Sequence, residues 1–240
     1  MKKCGRNGVT LCVLGAVGLT LVAGLMTGCK STYQARKAAP SGFLGNYSQL
    51  KEGKGEEALM VYVNPKADFK KYKKIKLDPV RIYATQDSSL AKLPREDLQR
   101  LVNYLDATLR EHLTKDYAIV DKPGSDVMRV RVAITEAKGA NVVLDTFSTL
   151  MPIGLAVSEI KNLAVGSHSA VGSVGAECEA LDSMDNVRLF AAVDARVGQK
   201  VTGKFDKFDK WRTATDSFDY WAERLQTRLT EMRNKGAAVR

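Results

Sequence analysis

From Val9 to Gly28 the chain runs twenty residues without a charge, after a head carrying Lys2, Lys3 and Arg6 and before Cys29. A positive head, an apolar run and small residues before a break are the pattern of a secretory signal. The run is also long enough to span a bilayer, whose hydrocarbon core takes about 20 helical residues. Gly15, Gly18, Gly24 and Gly28 weaken it as a permanent helix, each by about 0.5–1 kcal/mol relative to Ala. The segment that folds is therefore expected to begin after it.

The end of the run points to one kind of processing. Leu25-Met26-Thr27-Gly28-Cys29 resembles a bacterial lipobox, in which the cysteine is acylated and becomes the first mature residue. Gly28 and Thr27 fit that pattern, and Met26 stands where Leu, Val or Ile is more usual. Removal of residues 1–28 leaves 212 of the 240 residues and lowers the formal net charge from +10 to +7, because Lys2, Lys3 and Arg6 leave. Cys4 and Cys12 leave as well, and Cys29 is the expected site of lipid attachment. Cys178 is then alone, so no intramolecular disulfide is expected, and its place in an alternating stretch reads as a small buried hydrophobe. Two or three acyl chains hold a protein on a membrane, at about 0.8 kcal/mol per buried methylene. Lipoboxes followed by Asp resemble those of lipoproteins kept at the inner membrane. Lys30 follows here, which favours the outer membrane, facing the periplasm, over inner-membrane anchoring.

Residues 29–40 read as a lipidated tether, polar and basic without apolar periodicity. Ser41 to Leu50 mixes apolar anchors with turn residues and reads as an ordered arm laid on the domain, which extends over 41–235. Strands are expected at Ala58–Val63 and Lys74–Tyr83, the latter bent at Pro79. Further strands are expected at Tyr117–Val120, at Val127–Ala137, which alternates strictly, and in a hairpin of His168–Leu181 and Val187–Val197. Pro94–Leu113 and Trp211–Met232 carry apolar stripes at helical spacing. The spacing predicts an α+β fold: a mixed or mainly antiparallel sheet with two long helices packed on one face. Thr146–Ser158 is uncharged but too short to cross a bilayer. It reads as a buried segment or, alternatively, as a self-association or membrane-touching face.

Few residues carry recognisable chemistry. Ser167 and Ser169 flank His168, but neighbours on an extended backbone point to opposite faces, and no Gly-x-Ser-x-Gly elbow is present. His112 and His168 lack partners at metal-ligand spacing. Gly172-Ser173-Val174-Gly175 lies within a strand pattern and reads as a place of close packing rather than a phosphate loop. Glu177 and Glu179 share one strand face and read as solvated, with Asp68, Asp78 and Asp194 assigned near turns. Lys70, Lys71, Lys73 and Lys74, with Phe69 and Tyr72 between them, are a candidate contact for anionic lipid or an acidic envelope polymer. An envelope compartment argues against nucleic acid as the partner.

Several motifs occur in an order that resembles a known family. These are Ser41-Gly42-Phe43-Leu44-Gly45 with Tyr47, Tyr62-Val63-Asn64-Pro65, Asp78-Pro79-Val80, Arg129-Val130-Arg131-Val132-Ala133 and Phe218-Asp219-Tyr220-Trp221-Ala222. They are similar to the bacterial lipoprotein family known as domain of unknown function 3313, over about Ser41 to Leu229. The resemblance implies a Gram-negative envelope lipoprotein and supplies no catalytic residue, ligand or cofactor beyond the acyl lipid on Cys29. The expected role is non-enzymatic: binding an envelope protein, lipid or polymer, or a structural part in envelope assembly. The alternatives are an envelope hydrolase and an oligomer-forming assembly factor that uses the Thr146–Ser158 segment.

Overall fold

The computed structural model describes residues 32–85, 88–139, 172–198 and 210–235. Cys29, His168 and the 146–158 segment lie outside the described residues. The strands are β1 (Thr32–Gln34), β2 (Lys51–Glu52), β3 (Met60–Val63), β4 (Lys74–Leu77), β5 (Arg81–Ile82), β6 (Ala118–Ile119), β7 (Val127–Lys138), β8 (Ser173–Asp182) and β9 (Arg188–Gly198). The helices are α1 (Arg95–Leu113) and α2 (Arg212–Lys235). One mixed sheet runs in the order β2-β3-β9-β8-β7-β4-β6, with β1 also on β9 and β5 also on β7. β4, β5 and β6 pair in parallel and the remaining pairs are antiparallel. The fold is α+β, as the periodicities predict.

Alternation on β7 sets the two faces. Val130, Val132 and Ile134 are buried under the helices with Phe190 and Ala192 of β9, because residues two apart share a face. Leu101, Leu105, Leu109 and Leu113 of α1 and Phe218, Ala222, Leu225, Leu229 and Met232 of α2 form the stripes packed on that face. Both helices start at the same end of the sheet. There Asp97 accepts hydrogen bonds from Lys210 Nζ at 2.7 Å and Trp211 Nε1 at 3.1 Å. At the other end Arg233 Nη1 donates to the carbonyl of Asp116 at 2.7 Å.

Pro79, with no N–H to give, falls where the parallel strand is interrupted. Leu77 pairs with Val130 and Arg81 with Ala133, so the β4–β5 side carries one extra residue at the bend. β8 begins at Ser173, with residues 168–171 outside the described residues.

The other face is covered by the arm. Phe43, Leu44 and Leu50 are buried against Ala133, Ala191 and Val193. The arm turns at Gly42 and Gly45, whose φ values of +99° and +70° suit a residue without Cβ. One boundary differs from the sequence reading. Thr32–Gln34, assigned to the tether, is strand β1, paired antiparallel with Gly198, Val197 and Arg196. Three polar residues carry no periodicity; what holds them is the open edge of β9 and the Arg196 guanidinium, which donates to Thr32 Oγ1 and to the Thr32 carbonyl, both at 2.8 Å.

Candidate functional site

On the helix side of β8 and β9 stand Ala176, Cys178 and Ala192, too small to fill the space beneath α2. A cavity of about 100 Å³ results, closed by Leu105, Val132, Phe190 and Leu225 and opening beside Glu56–Ala58. Its wall is apolar and its rim is charged.

Asp194 forms one side of the rim. Its Oδ2 accepts the Trp221 indole N–H at 2.7 Å, and its Oδ1 accepts Gln34 Nε2 at 2.8 Å and the Leu59 N–H at 3.2 Å. Sequence reading placed Asp194 near a turn. It lies instead within β9 and is buried, where the partner strand changes from β1 to β3. Two bases complete the rim: Arg228 pairs with Glu57 at 3.0 Å, and Arg224 reaches Glu56 at 3.7 Å. The Arg196 guanidinium lies over the Tyr220 ring at 3.9 Å, an arrangement that favours a delocalised cation.

Cys178 lines the cavity and is the only free thiol among the described residues. Burial pushes it up to about 12, with the Glu179 charge adding to the effect. A thiol held neutral is a poor nucleophile, in keeping with the small-hydrophobe reading.

The opposite face corrects the sequence reading of Glu177 and Glu179. Neither is solvated: Glu177 is 1% exposed and Glu179 is 3% exposed. Glu177 Oε1 accepts the Ser41 N–H and Oε2 accepts the Tyr47 hydroxyl, both at 2.7 Å. The Tyr47 oxygen in turn accepts the Gly42 N–H at 2.8 Å. Burial, then the Glu177 hydrogen bond, raises the Tyr47 phenol. Glu179 pairs with Arg131 and, at 2.9 Å, with Arg188. Arg188 also donates to the carbonyls of Leu44 at 2.6 Å and Asn46 at 2.7 Å. Alternation puts both acids on the face without helices; the arm then buries that face, supplying donors to Glu177, while Arg131 and Arg188 compensate the charge of Glu179.

Asp78 is likewise buried and holds the Arg129 guanidinium at 2.6 Å. Asp68 does stand at a turn, where its carboxylate caps the short Phe69–Lys71 helix through the Lys70 N–H at 3.1 Å.

The basic run is partly consumed by acids distant in sequence. Lys71 pairs with Asp182 at 2.9 Å, and Lys74 pairs with Asp126 at 3.0 Å. Lys70 and Lys73 are exposed. Phe69 and Tyr72 are buried in the main core, and Tyr72 Oη donates to Asp182 at 2.7 Å, so neither presents a ring to a ligand. His112 is on α1, 3.4 Å from Lys115 Nζ. Among the described residues no group of three or more His, Cys, Asp or Glu is placed to hold a metal. Among them, too, no helix is long and apolar enough to cross a membrane.

The motif residues are thus the interlocks of the domain. Ser41 and Tyr47 meet Glu177, Asp78 meets Arg129, and Trp221 meets Asp194. A family model described as a protein of unknown function, DUF3313, matches residues 39–225. The chain belongs to the DUF3313 family. No curated protein matches the sequence.

Solved structures similar to the chain include the PelC dodecamer from Paraburkholderia phytofirmans, at 13% identity and a TM-score of 0.35, covering 70% of this chain and 95% of that one. A minor lipoprotein from Acinetobacter baumannii is 12% identical with a TM-score of 0.34, covering 68% of this chain and 95% of its own. A DUF4136 family protein from Bacteroides thetaiotaomicron is 13% identical with a TM-score of 0.30, covering 70% and 95%.

Proposed function

We propose that the chain is a bacterial envelope lipoprotein, held at the outer membrane through acylated Cys29 and facing the periplasm, whose domain acts by binding rather than by catalysis. The observation that carries the binding role is the cavity beneath α2. Its walls are apolar, and Asp194, Arg224 and Arg228 at its rim are engaged with Trp221, Glu56 and Glu57. Such a site offers apolar volume rather than a set of reacting groups converging on one point. Its size suits the end of an acyl chain, since an apolar cavity of about 150 Å³ holds a benzene molecule. Lys30 after the acylated cysteine supports the outer membrane.

Two measurements test this reading. Cys29→Ser should abolish fatty-acid labelling in cells; persistent labelling overturns the anchor. Hexanoate titrated into the domain should shift the Trp221 indole N–H resonance while leaving that of Trp211 unmoved. Ala192→Leu, which fills the cavity, should abolish the shift. A folded Ala192→Leu variant that responds like the native protein overturns the cavity as the site.

A further inference from the structure

Residues distant in sequence meet at one end of the sheet: Thr32, Gly139, Gly172, Gly198 and Lys210. Thr32 pairs with Gly198, and the Gly198 N–H donates to the Gly172 carbonyl at 2.9 Å. A Cβ on Gly172 would lie 2.8 Å from the Lys138 carbonyl, and one on Gly139 would lie 3.3 Å from the Lys210 carbonyl. Thr213, in the first turn of α2, stands against both Gly172 and Gly198 at distances that leave no room for a side chain there.

Thr32 is three residues from Cys29, a reach of about 10 Å at full extension. Because Thr32 is fixed in β1, at most those few residues separate the anchor from the domain, not the whole stretch to Pro40. The opposite end, where β8 turns into β9 near Met184, lies beyond the length of β9. At about 3.3 Å per residue, that strand alone spans about 33 Å.

The surface of the near end fits a membrane. Tyr33 on β1 is 55% exposed, and an aromatic ring with a polar tip suits the headgroup level. Arg212, Lys92 and Lys210 are exposed there. Lys92 belongs to the short Ser89–Lys92 helix, whose Ser89 Oγ donates to the Ala137 carbonyl at 2.6 Å.

We infer that the end of the sheet formed by Thr32, Gly139, Gly172 and Gly198 lies against the lipid surface, with Tyr33, Lys92, Lys210 and Arg212 at the headgroups and the β8–β9 turn pointing away. This inference rests on anchoring through Cys29. It also reassigns Lys70 and Lys73: at the far end, they are about four Debye lengths of about 8 Å from the anchoring membrane, and they cannot share its headgroups.

Lysine acetylation followed by mass spectrometry tests the orientation. The lipidated protein is reconstituted in vesicles of phosphatidylethanolamine and phosphatidylglycerol and compared with chain 29–240 carrying Cys29→Ser and lacking the signal. Lys92 and Lys210 should react several-fold more slowly on vesicles, with Lys70 and Lys73 unchanged. Equal protection at both ends, or protection at Lys70 and Lys73 instead, overturns the inference. A parallel sample, the Cys178→Ser mature chain coupled through Cys29 to a maleimide phospholipid, separates the two readings. If only this sample binds vesicles and shows the protection at Lys92 and Lys210, natural anchoring fails while the orientation stands. If it binds without that pattern, the orientation itself fails.

Discussion

Asp194 on β9 accepts the indole N–H of Trp221 on α2 at 2.7 Å, which ties the helix layer to the sheet at the rim of the cavity. The same carboxylate holds Gln34 of β1 and the Leu59 N–H, so one side chain joins three segments far apart in sequence. Asp194→Ala strands three donors and should lower unfolding stability by about 2–4 kcal/mol. Trp221→Phe removes one donor while leaving the acid its other two and should cost about 1–2 kcal/mol. Urea unfolding of both variants checks the order; equal losses would show that Gln34 and Leu59 contribute nothing.

Removing Glu179 leaves the Arg131 and Arg188 guanidinium groups facing each other without their shared carboxylate. Glu179→Ala should destabilise the domain by about 3–5 kcal/mol, the usual cost of breaking a buried pair from one side. Glu177→Gln has a more local consequence, because it weakens the acceptor of Ser41 and Tyr47. It should speed proteolytic cutting within Ser41–Leu50 while global stability changes little, and cleavage mapping by mass spectrometry reads this directly.

Acid should weaken the fold through Asp78 and Asp182. Burial acts to raise both carboxyls, but Arg129 with Lys76 at Asp78, and Lys71 with the Met184 N–H and the Tyr72 hydroxyl at Asp182, together outweigh it and hold each below the usual carboxylate range. A carboxyl whose folded value is depressed contributes stability that is present above its unfolded value, near 4, and is lost as pH falls through the folded value. Stability should therefore decline below about pH 4. Asp78→Asn should be less stable at neutral pH and should show a shallower acid limb in urea titrations run from pH 7 to pH 2.

The Cys178 thiol should resist alkylation. With its proton held up to about 12, its thiolate fraction at pH 8 is far below that of an ordinary cysteine near 8.5. Iodoacetamide should modify Cys178 of native chain 29–240 carrying Cys29→Ser about 100-fold or more slowly than in urea. Comparable rates in the two states would place the thiol in water.

Much of the fold is legible in the residues themselves. The stripes on Pro94–Leu113 and Trp211–Met232 identify the two helices, the strict alternation of Val127–Ala137 identifies the central strand, and Pro79 marks the bend. The arm is readable because Phe43, Leu44 and Leu50 sit among turn residues. The buried acids are not. Alternation correctly assigns Glu177 and Glu179 to the face without helices but does not reveal that ten residues from the start of the domain cover it. Their arginine partners, too, are set by strand register. The lysine run misleads for a related reason: Asp126 and Asp182, which neutralise Lys74 and Lys71, are brought there by β7 and β8 from more than fifty residues away. The cavity is set by side-chain sizes across four strands and two helices, and no single stretch of sequence contains that sum.

The pairing of β1 with the last three residues of β9 has a mechanical consequence. The chain enters β1 at Thr32 from the very end of the sheet, so tension from the preceding chain acts along the strand rather than across it. The backbone pairs with Gly198, Val197 and Arg196, and the two hydrogen bonds from the Arg196 guanidinium, are then loaded together in shear. Peeling, which would break them one at a time, requires a pull from the side. The domain thus meets a lengthwise tug from its leading segment with its strongest available geometry.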